Sequence, residues 1–422
     1  MLKEENDLLT HTGPGTPCGE MMRRYWLPAA LSTEVPVGGA PLPIRLLSED
    51  LVLFRSANPS PPGGRGEGEG ANIGLLNLHC SHRGADLSYG RLEDGGLRCI
   101  YHGWLYDVGG NCLEQPGEPP GSSFHQKIKH QAYPCHEEGG IIFAYLGPGE
   151  PPLFPRYEPF RVPADYCVLD KYMQDCNYLQ GNEGNIDSVH IRFLHRFFPE
   201  GRYAGRWSRD LYSPRPRGIP QCEETHFGVR VYHSYQEDDG PHININNFIM
   251  PVAAAFNAGD RDGYALNWRV PIDDTHHWTY TIGFARTSRS RRRPSEVDEN
   301  GRLLRTRANR YLQDRDEQKN DTFTGLGPDF GVHDTCVVET EGEIYDRTSE
   351  HAAPTDSGIV ALRQFMLRAI RDVQEGRDPP HVLRQPDEQD RLTDVIVGSW
   401  AVPAEVRWEE YRVQPDGTLA QL

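Results

Sequence analysis

Cys80-Ser-His82 and, after sixteen further residues, Cys99-Ile-Tyr-His102 place two thiols and two imidazoles on two short loops. Each loop supplies one ligand of each kind. Structural zinc sites usually pair Cys with Cys and His with His, so mixed loops favour a [2Fe-2S] centre in which one iron takes both thiolates and the other both imidazoles. Neutral His ligands raise the reduction potential of such a centre above that of an all-Cys cluster. Gly84, Gly90 and the Gly95-Gly96 pair allow tight turns that bring amide groups toward sulfide, and Trp104 and Tyr106 can shield the cluster from water. The other cysteines, Cys18, Cys112, Cys135, Cys167, Cys176, Cys222 and Cys336, show no pairing pattern and read as buried thiols.

Around these loops, short apolar runs from Ile73 to Tyr145 alternate with turns such as Glu93-Asp-Gly-Gly96 and Val108-Gly-Gly110, which describes a small all-β domain. Upstream, Ile44 to Arg55 reads as a hairpin around a Ser-Glu-Asp turn. Pro59 to Gly70 reads as a flexible Gly/Pro loop. Gly147-Pro-Gly-Glu-Pro-Pro152 ends the small domain. Beyond it the character becomes α+β: strand-like runs lie at Gly228–Tyr235, His242–Asn246 and His277–Ile282, and apolar residues at 359, 362, 366, 369, 370 and 373 mark a helix over 358–373 with Arg and Gln between them. Arg289, Arg291, Arg292 and Arg293 read as a solvated loop.

Composition excludes several classes of function. The 422 residues carry 44 Lys and Arg against 61 Asp and Glu, a net charge of -17, which disfavours non-specific binding to nucleic acid or to an anionic membrane. No apolar run reaches the ~18–20 residues of a membrane span. The acid-bearing N-terminus lacks the apolar core of a secretory signal, so the cytoplasm is the expected compartment. Nine cysteines are too sparse for a disulfide scaffold.

The larger domain holds a second constellation. Asp187, His190 and His195 fall within one short stretch. Positions three apart share a helix face but positions five apart do not, so the backbone must distort or end near 191–195 for both rings to meet one ion. An electron carrier in the same chain needs something to reduce, and two His with one carboxylate form the open ligand set of non-haem Fe(II) oxygenases. Asp187 is placed to bond the ring nitrogen of His190 that faces away from a metal. A more distant carboxylate is therefore the preferred third ligand, and His333-Asp-Thr-Cys-Val-Val-Glu339 offers both Asp334 and Glu339.

With both constellations in view, the chain resembles the Rieske non-haem iron aromatic-ring hydroxylating oxygenases, and within them the oxygenase components of the phthalate dioxygenase and lignin-biaryl O-demethylase type. The matching stretches run through nearly the whole length: Met22-Arg-Arg-Tyr-Trp-Leu-Pro28, the two ligand loops with Gly103-Trp104, Tyr133-Pro134, Gly139 to Pro148, Gln180 with Glu183 to His190, Pro271-Ile-Asp-Asp274, and Asp346-Arg-Thr348 with Glu350-His351 and Asp356. The resemblance implies an N-terminal segment of the catalytic domain (1–25), a Rieske [2Fe-2S] domain (26–150), and a catalytic domain (151–422) with a curved antiparallel sheet covered by helices. It implies Cys80 and Cys99 on one cluster iron, His82 and His102 on the other, and His190, His195 and Asp334 on a mononuclear Fe(II). The family segment usually opens Gln-Asp where this chain reads His333-Asp334, so Glu339 stays in reserve. An Asp at the position of Asp187 bridges the cluster of one subunit to the iron of its neighbour in the family, which implies a head-to-tail homotrimer. Asn177, Gln180 and Glu183 resemble supporting positions around the iron.

The implied activity is O2-dependent dihydroxylation or O-demethylation of an aromatic, carboxylated substrate. Electrons come from a separate NAD(P)H-dependent reductase, with or without a ferredoxin. Arg230 and Arg269 lie on strand-like segments where alternation turns a cation inward toward such a carboxylate. The rival readings are an electron-transfer Rieske protein without a catalytic iron and a zinc-binding structural protein.

Overall fold

The computed structural model describes all residues except 57–72, 188, 204–217, 238–239, 258–261, 291–293, 403–410, 414–418 and 422. The Gly/Pro-rich stretch 59–70 and residues 291–293 of the basic cluster lie outside the described residues. The chain divides into two compact units, Thr12–Phe154 on the one hand and Met1–His11 with Pro155–Leu422 on the other. The N-terminal segment of the larger unit therefore ends at His11, earlier than the expected residue 25. The buried Arg23 explains the difference. Its guanidinium donates to the carbonyls of Thr12 and Leu47 and to Glu49 at 3.3, 3.2 and 2.7 Å, which holds the intervening stretch in the smaller unit.

Among the described residues the smaller unit holds three antiparallel sheets. Trp26–Leu31, Ile141–Tyr145 and Cys135–Glu138 form one, in that order, and Leu42–Leu46, Glu49–Arg55, Ile73–Asn77 and Ala132–Tyr133 form the second. The expected hairpin is present, but its turn is Leu47-Ser48 rather than Ser-Glu-Asp. Both turn residues are left-handed, at φ 49 and 63, as a two-residue turn between twisted strands requires. Leu47 is fully buried, and burial outweighs its poor turn propensity. The third sheet, Arg91–Glu93, Gly96–Arg98, Leu105–Tyr106 and Cys112–Glu114, carries the Cys99 loop.

The larger unit centres on an eight-stranded antiparallel sheet in the order Cys167–Gln174, His277–Phe284, Ala265–Pro271, Ala253–Phe256, Gly240–Ile249, Gly228–Glu237 and Gln221–Glu224, with Gly398–Ala401 also pairing to Gly240–Ile249. Alternation along Gly240–Ile249 sends Ile243 and Ile245 into a cluster with Tyr232, Ile396 and Val402. Asn244 and Asn246 point to the opposite face, beside their cross-strand partners His233 and Val231. The helix Ser357–Gln374 forms where the 3.6-residue pattern placed it and packs on the strands Gln221–Glu224 and Gly228–Glu237. One of its polar residues departs from that pattern: Arg363 is buried rather than solvated.

Among the cysteines, Cys18, Cys112 and Cys176 are buried as expected. Cys135, Cys167 and Cys336 are half-buried, and Cys222, on the edge strand, is exposed. No described helix is long and apolar enough to cross a membrane.

Candidate metal centres

The two ligand loops of the smaller unit are built alike. The amide of Cys80 donates to the carbonyl of Ala85 and that of Cys99 to the carbonyl of Trp104, closing each loop. Gly84 and Gly103, each four residues after its cysteine, return their amides to the cysteine carbonyls at 2.8 and 3.0 Å. Both glycines are left-handed, at φ 73 and 76, a conformation an L side chain would strain. Arg98 fixes the second loop by donating to the carbonyl of Gly103 at 2.6 Å while pairing with Glu93 and Glu114.

These turns bring the two thiols together and the two imidazoles together. Cys80 and Cys99 sit in one apolar cluster with Trp104 and Tyr106, and burial with Cys80 alongside pushes the Cys99 thiol up. The rings of His82 and His102 lie 4.4 Å apart at 72°, and His82 stacks flat on Trp104. Nδ1 of His82 is buried with no hydrogen-bond partner among the described residues, as a nitrogen aimed at a metal would be. Tyr106 Oη lies 3.2 Å from Cys80 Sγ. His130, which no motif in the sequence singles out, holds the first loop through Ser81 Oγ at 2.6 Å and the carbonyl of Asn77 at 2.9 Å.

In the larger unit, the helix Tyr178–Ile186 starts at Asn177, whose side chain caps the amide of Leu179, and stops at Asp187. The Asp187 carboxylate accepts from the amides of Val189 and His190 at 2.7 and 3.3 Å and turns the chain. A four-residue helix, Ile191–Leu194, follows, with His190 and His195 at its two ends. This break meets the geometric condition posed by the five-residue spacing. The rings now lie 5.2 Å apart at 75°.

Asp334, on the helix Phe330–Thr340, completes the group. Its Oδ1 lies 3.0 Å from His195 Nε2 and 3.8 Å from His190 Nε2, and the three residues have ligand atoms within 4.8 Å of one another. Burial would raise the Asp334 carboxyl, but His195, His190 and Arg269 draw it down to about 2. Two imidazoles and one ionised carboxylate suit a first-row divalent ion and leave open positions around it. Nδ1 of His190 faces Asp187 Oδ2 at 3.3 Å without the alignment of a hydrogen bond. Glu339 belongs elsewhere, accepting from Tyr311 Oη at 2.6 Å and from the amide of Asp175 at 2.9 Å.

The supporting residues are also placed. Gln180 clamps its helix to the Asp334 helix by donating to the carbonyls of Val338 and Gly342 and accepting from the amide of Tyr345. Glu183 binds Arg347 through two hydrogen bonds of 2.8 Å and Arg363 through one of 2.6 Å. Neither arginine considered for substrate is uncommitted. Arg230 is buried against Glu223, Asn247 and the carbonyl of Asp394. Arg269 is 2% exposed and donates to Gln174, Thr279 and Asn185. His333, noticed in the sequence only as a departure from a pattern, meets His195 directly, with the two Nδ1 atoms 3.1 Å apart.

Residues 25–134 match the Rieske [2Fe-2S] domain, and residues 144–418 match the family of domains like the LigXa C-terminal domain. The chain belongs to the Rieske non-haem iron oxygenases. It is 34% identical to the phthalate 4,5-dioxygenase oxygenase subunit of Pseudomonas putida, over 88% of this chain and 87% of that one. It is 31% identical to the 5,5'-dehydrodivanillate O-demethylase oxygenase subunit of a Sphingobium species, over 91% and 84%. The fold is that of dicamba monooxygenase, with a TM-score of 0.58 at 17% identity over 84% of this chain and 99% of that one. These relatives favour an oxygenase over an electron carrier that lacks a catalytic iron.

Proposed function

We propose that this Rieske oxygenase is the terminal component of a multicomponent system and hydroxylates or O-demethylates a small aromatic carboxylate. The convergence of His190, His195 and Asp334 within 4.8 Å carries this reading, because an electron carrier has no use for a second, open ligand set. The substrate class follows the relatives, since phthalate and dehydrodivanillate are both aromatic carboxylates.

In this reading Cys80 and Cys99 hold one cluster iron, His82 and His102 the other, and His190, His195 and Asp334 the mononuclear Fe(II). When bound, the cluster delivers electrons singly and the mononuclear iron activates O2. The chain's own residues set the conditions for that chemistry. Gly84 and Gly103 shape the cluster loops, while Trp104 and Tyr106 keep water from the thiolate side. Asp187 fixes the backbone that presents His190, and Gln180 sets the spacing between the histidine segment and Asp334. In a head-to-tail trimer Asp187 would stand between the cluster-holding residues of one subunit and the iron-holding residues of the next, and a separate reductase drawing on NAD(P)H, directly or through a ferredoxin, would supply the electrons.

The test is a coupled assay with NADH, O2, a reductase of the phthalate dioxygenase type and a panel of phthalate, substituted benzoates and methoxybenzoates. Product that gains two oxygen atoms assigns dihydroxylation, and release of formaldehyde assigns O-demethylation. Aromatic acids that give neither product, with turnover found only on uncharged or aliphatic compounds, would overturn the substrate class.

A further inference from the structure

A neutral imidazole carries one lone pair and one N–H, so a ring that ligates through one nitrogen must hold its proton on the other. Whatever bonds the far nitrogen therefore decides which nitrogen is free for metal. At His195 the nitrogen turned toward Asp334 is Nε2, and Nδ1 is turned to His333. The second ring of that pair ends on a group of fixed polarity. His333 Nε2 lies 2.8 Å from the carbonyl of Gly327, which can only accept. His333 Nε2 must then bear the proton, and its Nδ1 is a lone pair. The 3.1 Å contact between the two Nδ1 atoms can be a hydrogen bond only if His195 Nδ1 donates. His195 Nε2 is left as the lone pair, on the side where Asp334 stands.

The surroundings hold this order of donors and acceptors in place. Gly327 is anchored by its own amide, which donates to the buried Glu317 at 2.6 Å. His333 is 0% exposed, so water does not compete for either ring nitrogen. The His195 and His333 rings are nearly parallel, at 15°, and Phe330 stacks on His195 at 4.2 Å.

We propose that His333 is a positioning residue that fixes His195 in the Nδ1–H tautomer, through the series Gly327 carbonyl, His333, His195, and so presents the Nε2 lone pair to the metal. The inference rests on the reading of His190, His195 and Asp334 as a metal site. It also specifies its own conservative replacement. A glutamine at 333 offers an amide N–H for the Gly327 carbonyl and an amide oxygen for His195 Nδ1–H, the same polarity in the same order. A leucine fills space of similar size and supplies neither.

The experiment uses full-length protein stripped of mononuclear metal but retaining its cluster, titrated anaerobically with Co(II) while the cobalt absorption bands are followed. His333→Leu is expected to weaken Co(II) binding by ~10- to 100-fold, the range for loss of such a partner. His333→Gln is expected to stay within a few-fold of wild type, with the cluster spectrum unchanged in both. Leucine binding as tightly as wild type, or glutamine as weakly as leucine, would overturn the proposal. Nitrogen-15 NMR of the histidine rings in Zn(II)-loaded wild type provides a readout that needs no folded leucine variant. It should show His333 protonated at Nε2, and protonation at Nδ1 would overturn the proposal. A wild type that takes up no Co(II) would overturn the metal reading and this inference with it, whereas equal affinities overturn this inference alone.

Discussion

Asp187 accepts the backbone amide of His190 and its carboxylate stands 3.3 Å from Nδ1 of the same ring, so one residue fixes the chain at that histidine and places a negative charge beside its imidazole. The other nitrogen of the ring, Nε2, faces Asp334 Oδ1 at 3.8 Å. Replacing Asp187 by Asn keeps an oxygen for the amides but removes the charge. The variant is expected to keep its cluster spectrum and iron content while turnover falls by ~10- to 100-fold. An Asp187→Asn enzyme turning over at the wild-type rate would remove Asp187 from the electron path.

Arg347 is wholly buried, and Glu183 is its carboxylate partner as well as one of the two that hold Arg363. Removing one member of such a network leaves a buried charge uncompensated, which typically costs about 3–5 kcal/mol. Glu183→Gln should lower the unfolding free energy of the larger unit by that order in urea titrations. A loss below ~1 kcal/mol would show that the network is solvated in the folded protein.

Glu350 hydrogen-bonds Arg363, which holds its carboxyl below the ordinary 4.5. Between the lowered value and 4.5 the unfolded chain binds the extra proton, so stability rises with pH there and is lost as pH falls through the folded value. Above 4.5 the contribution is fully present. Glu350→Gln should therefore flatten the acid limb of the stability curve below about pH 4.5. An unchanged slope would mean that the pair does not persist in solution.

Tyr106 lies 3.2 Å from Cys80 Sγ, within reach of a hydrogen bond to sulfur. Such a bond favours the more negative, reduced cluster. Tyr106→Phe should lower the cluster potential by ~20–60 mV, equivalent to a net hydrogen bond of ~0.5–1.5 kcal/mol. Redox titration followed by EPR measures this directly, and a potential that stays or rises would contradict it.

The candidate cluster site was legible because its four residues are local: each loop spans a few residues and its glycines mark the turns. His190 and His195 were legible as a pair, and the need for a break between them followed from helix geometry alone. The choice between Asp334 and Glu339 was not. They lie five positions apart on one helix, which is about 140° around its axis, and only packing decides which face meets the histidines. Arg363 falls among the polar positions of its helix pattern, and periodicity does not show its partners, Glu183 on another helix and Glu350 just ahead of its own. Arg230 and Arg269 looked available for the same reason, their partners being cross-strand neighbours and the Asp394 loop. The Leu47-Ser48 turn carries no Gly or Asn to announce it, and burial of Leu47 sets its position.

The most direct test of two metal centres in one chain is iron and acid-labile sulfide analysis with EPR on anaerobically purified, dithionite-reduced protein, comparing wild type with a His190→Ala, His195→Ala double variant. Both samples should show the Rieske signal, with about three irons per chain in wild type and about two in the variant. The same signal with equal iron in both would contradict a mononuclear centre at His190, His195 and Asp334, and would leave the chain as an electron carrier.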